Sequence, residues 1–305
     1  MDNCRIACVI VTYNRKNLLK RCLDAGVTQT FKPQAVYIMD NASTDGTIDA
    51  VREWGYYKSV CNGIEFKYIL NKRNEGGAGG FYLGMKTANE DAVYDGLWVM
   101  DDDGVPNKNC LQNQVAYLND YAFISPFVVT FEDENIMSFW KQSASELRQI
   151  YPSGIIPNKA NPFNGILYRK DLIEQVGYPK PDLFIWGDEY EYQLRAISKG
   201  FNPVIIINAV HHHPKDRMEF QADFCGRNVI VHVSSDLRNY CCYRNRAYIY
   251  KKYFGIKSVL VFLFSYTWFF MITKRLSIKN LIFFWRAAIA GLTNNFSDHY
   301  NYIGR

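Results

Sequence analysis

From Arg5 to about Asp103, short apolar runs alternate with stretches in which apolar residues recur every three or four positions. The runs predict strands over 6–11, 35–39, 65–70 and 97–100, and the periodic stretches predict helices over 18–25, 47–54 and 78–89. Such alternation specifies an α/β fold, a mostly parallel sheet with helices on both faces. Residues 131–160 lack clear periodicity and contain Pro152, Gly154 and Pro157, which predicts an irregular insertion or lid. Beyond it come a strand over 163–168, a helix over 170–176, a helix over 188–199 and a strand over 203–207 leading into His211-His212-His213. From about Tyr240 the chain reads as helical.

In open sheets of this type ligands bind beyond the carboxyl ends of the strands. There the chain carries Thr12-Tyr13-Asn14-Arg15, Asp40-Asn41-Ala42-Ser43-Thr44-Asp45-Gly46-Thr47, Asn74-Glu75-Gly76-Gly77-Ala78-Gly79-Gly80 and Asp101-Asp102-Asp103-Gly104. Three successive carboxylates after a buried strand repel one another unless cations or donors meet them. A hard divalent ion, Mn²⁺ or Mg²⁺, fits oxygen ligands and bridges phosphate oxygens of a nucleotide. In extended chain Asp101 and Asp103 share a side and Asp102 takes the other. A neutral imidazole could complete the metal shell, with His213 the first choice and His211 the second.

Asp40, at a strand end, is placed to accept a hydrogen bond from a base or ribose, whereas Ser43, Thr44 and Asp45 are natural helix caps. Gly76 and Gly77 let backbone amides approach a phosphate or sugar at a helix start. The run lacks the Lys-Ser/Thr of a P-loop, and its place after the third strand does not suit a dinucleotide fold. Thr12, Asn14, Arg15, Asn74 and Asp102 join Asp40 and Asp101 as candidate contacts to a nucleotide. Asp188, Glu189 and Glu191 open a helix whose dipole favours their ionised forms. Asp188 reads as the cap and Glu189 as the free carboxylate able to act as general base, with Trp186 and Glu191 as candidate sugar or acceptor contacts.

Composition adds a division of charge. The chain has 35 Lys/Arg and 30 Asp/Glu, but 238–286 holds ten of the basic residues and no acid, leaving 25 basic and 30 acidic residues elsewhere. An acidic body carries a basic, aromatic tail. Eight cysteines without CxxC pairs read as reduced thiols, and the N-terminus lacks the pattern of a secretory signal.

Taken together, the motifs in 5–213 resemble those of the family 2 glycosyltransferases of GT-A fold. Asn74 to Phe81 and Trp186 to Arg195 look most like galactofuranosyltransferases, with bacterial rhamnosyltransferases as neighbours. The resemblance implies transfer with inversion from a UDP-sugar such as UDP-galactofuranose, or from dTDP-rhamnose in the alternative. It implies that Asp101, Asp103 and His213 hold Mn²⁺ or Mg²⁺, that Asp40 meets the uracil, and that the second acid of the pair, Glu189, is the base. The family usually has Asp at that position, which keeps Asp188 in view. A glycan or lipid-linked acceptor in O-antigen, capsule or cell-wall synthesis follows from the same resemblance.

Residues 258–273 are uncharged and apolar, bracketed by Lys257 and Lys274-Arg275. Sixteen positions are short for a span, which needs about twenty. An interfacial helix at a membrane surface suits them better, with a cytoplasmic enzyme held at the inner face, although a packing helix or a homo-oligomer contact would use the same residues. The apolar interior argues against nucleic acid. The expected division is a catalytic domain over 1–235, with halves 1–103 and 104–235, and a helical extension over 236–305. Two other classes compete: a nucleotidyltransferase, whose triphosphate loop is missing after the first strand, and a sugar-nucleotide-binding protein without catalysis.

Overall fold

The computed structural model describes residues 4–91, 93–215, 220–222, 228–231 and 235–303. The chain divides into two units, one of residues 1–181 with 192–216, the other of residues 182–191 with 217–305.

The first unit is built on one mixed sheet. Its elements are β1 (Ile6–Thr12), α1 (Lys16–Val27), β2 (Ala35–Asp40), α2 (Thr47–Glu53), β3 (Ser59–Cys61), β4 (Ile64–Leu70), α3 (Gly76–Asp91), β5 (Gly96–Asp101), β6 (Val105–Pro106), α4 (Cys110–Val115), β7 (Phe123–Val129), α5 (Ala144–Ile150), β8 (Ile155–Pro157), β9 (Asn164–Arg169), α6 (Lys170–Val176), most of α7 (Asp188–Ser198) and β10 (Val204–His212). The strand order is β3-β4-β2-β1-β5-β9-β7-β10-β6, with β8 on β10. Alternation along β1 explains its burial on both sides: Ile6, Cys8 and Ile10 join a core with Leu19, Leu23 and Leu111, while Ala7, Val9 and Val11 join one with Phe81, Met85 and Leu172. Near-continuous apolar strands are what a sheet covered on both faces requires.

Register fixes where the chemistry lies. Thr12 pairs with Asp40, Val11 with Asp101 and Asp40 with Leu70, so the loops after β1, β2, β4 and β5 leave one edge. β5 to β9 and β9 to β7 are both antiparallel, and β10 runs parallel to β7. Two reversals restore the direction, and the end of β10 therefore reaches that same edge.

Several elements differ from the sequence expectation. The stretch expected to be an irregular insertion contains α5, closed by a reciprocal capping box between Ser143 and Glu146, and β8, which pairs with β10. The histidine triplet does not follow its strand: β10 bulges between Ile206 and Val210 and continues through His212. β7 was not anticipated because Pro126 interrupts its apolar run; its ladder to β9 stops at Ile124, two residues earlier.

In the second unit the short hairpin β11 (Phe220–Ala222) and β12 (Asn228–Ile230) precedes α8 (Asp236–Ile249), α9 (Gly255–Trp268) and α10 (Ile278–Leu292). The run Asp236–Thr273 is long and apolar enough to cross a membrane by composition, with a window of mean hydropathy 1.6 that is 28% buried. Gly255, at φ 77°, breaks that run between α8 and α9. Tyr243, Phe262, Tyr266 and Phe284 form its aromatic core, with Tyr266 stacked on Phe284 at 4.8 Å. A Cβ on Gly291 of α10 would lie 2.0 Å from the Arg244 carbonyl of α8, so only glycine permits this approach.

Candidate active site

The loop after β1 is tied to the loop after β2. Asn14, at φ 54°, accepts from the Thr44 amide at 2.7 Å and donates its own amide to Ser43 Oγ at 2.9 Å. Asp45 accepts from the amides of Lys16 and Thr47. Its slight burial favours protonation, but these bonds and the Thr47 hydroxyl outweigh it and hold the carboxyl below its ordinary value. Asp40 is buried, with one oxygen accepting from the Ser43 amide at 2.7 Å and the other from the Tyr68 hydroxyl.

The glycine run has two uses. Asn74 accepts from the Gly76 amide at 2.8 Å and so closes the start of α3. A Cβ on Gly80 would sit 2.5 Å from Val11, and one on Gly84 2.6 Å from Val9, which is how α3 lies flat on the sheet. Gly77, by contrast, faces open space.

The three aspartates are held differently. Asp102 is buried, accepting from Thr12 Oγ1 at 2.6 Å and from Arg15 at 3.2 Å. Burial pushes its carboxyl up to about 6 despite the pull of Arg15 and Thr12. Asp103 pairs with Arg15 at 2.9 Å through one oxygen and with His213 Nε2 at 3.2 Å through the other. Burial would raise Asp103 too, but His213 and Arg15 prevail and hold it below the usual carboxylate range. Asp101 closes β5, its amide donating to the Phe163 carbonyl.

Asp103 reaches His213 because the chain after the triplet crosses to the far side of β10, where β6 pairs Pro106 with His211 and Val105 with His212. His213 is oriented by its Nδ1 contact of 2.6 Å with the Pro214 carbonyl and by the ring of Phe139. With Nδ1 directed at the Pro214 carbonyl, Nε2 faces the Asp103 carboxylate, and the two atoms can share a proton or a cation; a hard oxygen with an imidazole nitrogen suits Mn²⁺. The residues thus fit a divalent ion. Among the described residues no three His, Cys, Asp or Glu side chains converge, so Asp101 and His211 are not gathered with this pair.

His212 turns instead to Glu134 at 2.8 Å. His211 is fully buried between Gly104 and Gly165, and burial depresses its pKa to about 3, leaving it neutral. A Cβ on Gly104 would meet His211 Nε2 at 2.1 Å, and the enclosed ring has no room to yield. Gly104→Ala is therefore expected to cost about 2 kcal/mol in denaturant unfolding and to disturb the neighbouring Asp103–His213 pair; wild-type stability and activity would refute this account.

The second unit holds the remaining candidates. Phe184 and Trp186 are aromatic residues with positive φ, 64° and 66°, and Gly187 follows at 91°. Such backbone costs on the order of 1–3 kcal/mol per non-glycine residue and persists only when surroundings impose it. Here Asn245 Nδ2 lies 2.9, 3.0 and 2.6 Å from the carbonyls of Leu183, Ile185 and Trp186, and Arg244 donates to the carbonyls of Asp182 and Leu183. Trp186 is partly buried against the aromatic core. Asp188, the first residue of α7, is buried, Glu189 half-buried. Glu191 is 1% exposed and accepts from Tyr253 at 2.7 Å and Lys252 at 3.0 Å, a structural pairing. The Arg244 and Asn245 clamp was not legible in sequence, since nothing local marks a partner some sixty residues away.

Comparison with known proteins agrees with these motifs. The glycosyl transferase family 2 profile matches residues 7–177. The chain is 32% identical over 279 residues to galactofuranosyltransferase GlfT1 of Mycobacterium tuberculosis, covering 88% of this chain and 89% of that one. It is 30% identical to GlfT1 of Mycolicibacterium smegmatis, with 90% and 93% covered. Mannosyltransferase PcManGT from Pyrobaculum calidifontis, solved with GDP-Man and Mn²⁺, superposes with a TM-score of 0.57 at 14% identity, over 95% of this chain and 87% of that chain. S. aureus TarS 1-349, solved with UDP-GlcNAc, gives 0.56 at 15% identity, over 95% and 80%. At those identities the likeness establishes the shared GT-A fold. This chain belongs to family 2 of the glycosyltransferases and is a hexosyltransferase similar to galactofuranosyltransferases.

Proposed function

We propose that the protein transfers galactofuranose from UDP-galactofuranose, with inversion, to a glycan or lipid-linked acceptor in bacterial polysaccharide assembly at the cytoplasmic face of a membrane. The observation that carries this reading is the 32% identity to a galactofuranosyltransferase across nearly the whole of both chains. Solved relatives of the fold hold GDP-Man with Mn²⁺ and UDP-GlcNAc, which supports a nucleotide sugar and a divalent ion.

In this reading the Asp103 and His213 pair holds the ion, which when bound would supply positive charge beside the diphosphate. Arg15 adds fixed charge, and Thr12, Asn14, Asp40, Asn74, Gly76, Gly77 and Asp102 shape the nucleotide pocket. Glu189, with Asp188 as the alternative, accepts the proton of the acceptor hydroxyl as its oxygen bonds to the anomeric carbon and the bond from that carbon to the diphosphate breaks. Residues up to about 235 carry the chemistry and 236–305 attach the enzyme to the membrane.

Release of nucleotide from a panel containing UDP-galactofuranose, UDP-galactose and dTDP-rhamnose tests the donor. UDP release from UDP-galactofuranose that needs Mn²⁺ and stops with chelator is expected; turnover of dTDP-rhamnose alone would replace this reading with rhamnosyl transfer. Glu189→Gln should abolish transfer while sparing UDP affinity. Full turnover in that variant together with loss in Asp188→Asn would move the base to Asp188, and full turnover in both would remove the pair.

A further inference from the structure

The second unit contains a cavity of about 500 Å³ that none of the chemistry above employs. Arg246 and Lys257 line it, together with Tyr250, Tyr266, Ser258 and Ser265. Arg246 donates to the hydroxyls of Tyr266 at 3.2 Å and Tyr250 at 2.9 Å, and its guanidinium lies 5.7–6.0 Å from the ring centres of Tyr250, Phe262 and Tyr266. Neither Arg246 nor Lys257 forms an ion pair with a described acidic residue, and 238–286 contains no acid.

Aromatic faces and hydroxyls orient a guanidinium but do not neutralise it. Its five N–H donors form a fixed fork that matches phosphate oxygens, and the two tyrosines leave some of them unused. The rest of the lining is apolar. Phe254 and Val261 border the cavity and are each 44% exposed, so its wall opens onto the surface, where Leu260 and Phe264 of α9 stand 58% and 57% exposed. A site for a free anion needs no apolar rim, and a plain bilayer contact needs no cavity.

We infer that this cavity binds the phosphate headgroup of an amphiphile, Arg246 and Lys257 taking the phosphate and the exposed side of α9 its hydrocarbon. The assignment goes beyond the donor reading and does not depend on it. Two sources share the chemistry, an anionic bilayer lipid and an isoprenoid diphosphate, and both are tested on the full chain with chelator present, which silences any metal-dependent diphosphate site. One arm measures binding to vesicles of equal parts phosphatidylglycerol and phosphatidylcholine against phosphatidylcholine alone. The other titrates farnesyl diphosphate against inorganic pyrophosphate.

Arg246→Gln should weaken binding in at least one arm by about tenfold or more, the worth of a charge-assisted contact, while Lys279→Gln, which removes the same charge away from the cavity, changes it far less. A response confined to vesicles assigns the bilayer lipid, and one confined to farnesyl diphosphate assigns the isoprenoid. Equal losses in the two variants in both arms, or no response in the vesicle arm together with pyrophosphate binding as tightly as farnesyl diphosphate, would overturn the inference. Because Arg246 is packed among tyrosines, Lys257→Gln at the exposed rim provides the second variant; it should fold normally and weaken binding several-fold, and unchanged binding there also overturns it.

Discussion

Asp103→Asn is expected to abolish nearly all sugar transfer while leaving the fold intact. The substitution keeps the side chain's size but removes the charge that Arg15 and His213 both meet, at 2.9 and 3.2 Å. Arg15 retains Asp102, which limits the structural cost. What disappears is the anionic half of the carboxylate–imidazole pair that the aspartate triplet makes with His213, and electrostatic stabilisation of a leaving diphosphate is worth on the order of 10²–10³ in rate or more. Nucleotide release with saturating Mn²⁺ measures the loss, and thermal unfolding shows whether the protein remains folded. A variant that turns over at the wild-type rate would remove Asp103 from the site.

Asn245→Asp should produce the second large effect, and in a different parameter. The amide spans the carbonyls of Leu183, Ile185 and Trp186 at 2.6–3.0 Å, and a carboxylate of the same shape can donate to none of them. Arg244 still serves Leu183, but a lost bond to a buried carbonyl, with a carboxylate set against it, costs about 1–3 kcal/mol. The turn they hold contains the positive-φ residues Phe184 and Trp186 and leads directly into Asp188 and Glu189. We expect kcat to fall roughly 100-fold, since small misplacement of a reacting group costs that much. The affinity for UDP should change little, because Arg15, Asp102 and Asp103 belong to the other unit. If stability falls but kcat per folded molecule does not, Asn245 only supports the fold and the turn's geometry has no bearing on the chemistry.

Much of this protein follows from local pattern. Strands such as Ile6–Thr12 and Ala35–Asp40 and helices such as Lys16–Val27 are legible because apolar periodicity and turn residues act within a few positions. The aspartate triplet is legible for the same reason: like charges after a buried strand demand counter-charge wherever they end up. The identities of their partners are another matter. That Asp102 faces Thr12 and Arg15 while Asp103 faces His213 depends on β6 crossing to β10, and on a bulge in β10 that shifts its last residues. Gly104 looks like a turn residue in sequence, but what makes glycine necessary is a histidine more than a hundred positions later.

The sequence by itself therefore determined the α/β architecture, the carboxyl-edge loops and the chemical type of the candidate site, because these rest on short-range periodicity, capping and charge. Only the tertiary structure decided which histidine meets Asp103, that Glu191 is consumed by Lys252 and Tyr253, that Arg244 and Asn245 brace the turn before Glu189, and that Arg246 faces a cavity. Each of those outcomes depends on close packing between residues far apart in the chain, where a side chain's role is set by the neighbours that enclose it rather than by its own chemistry.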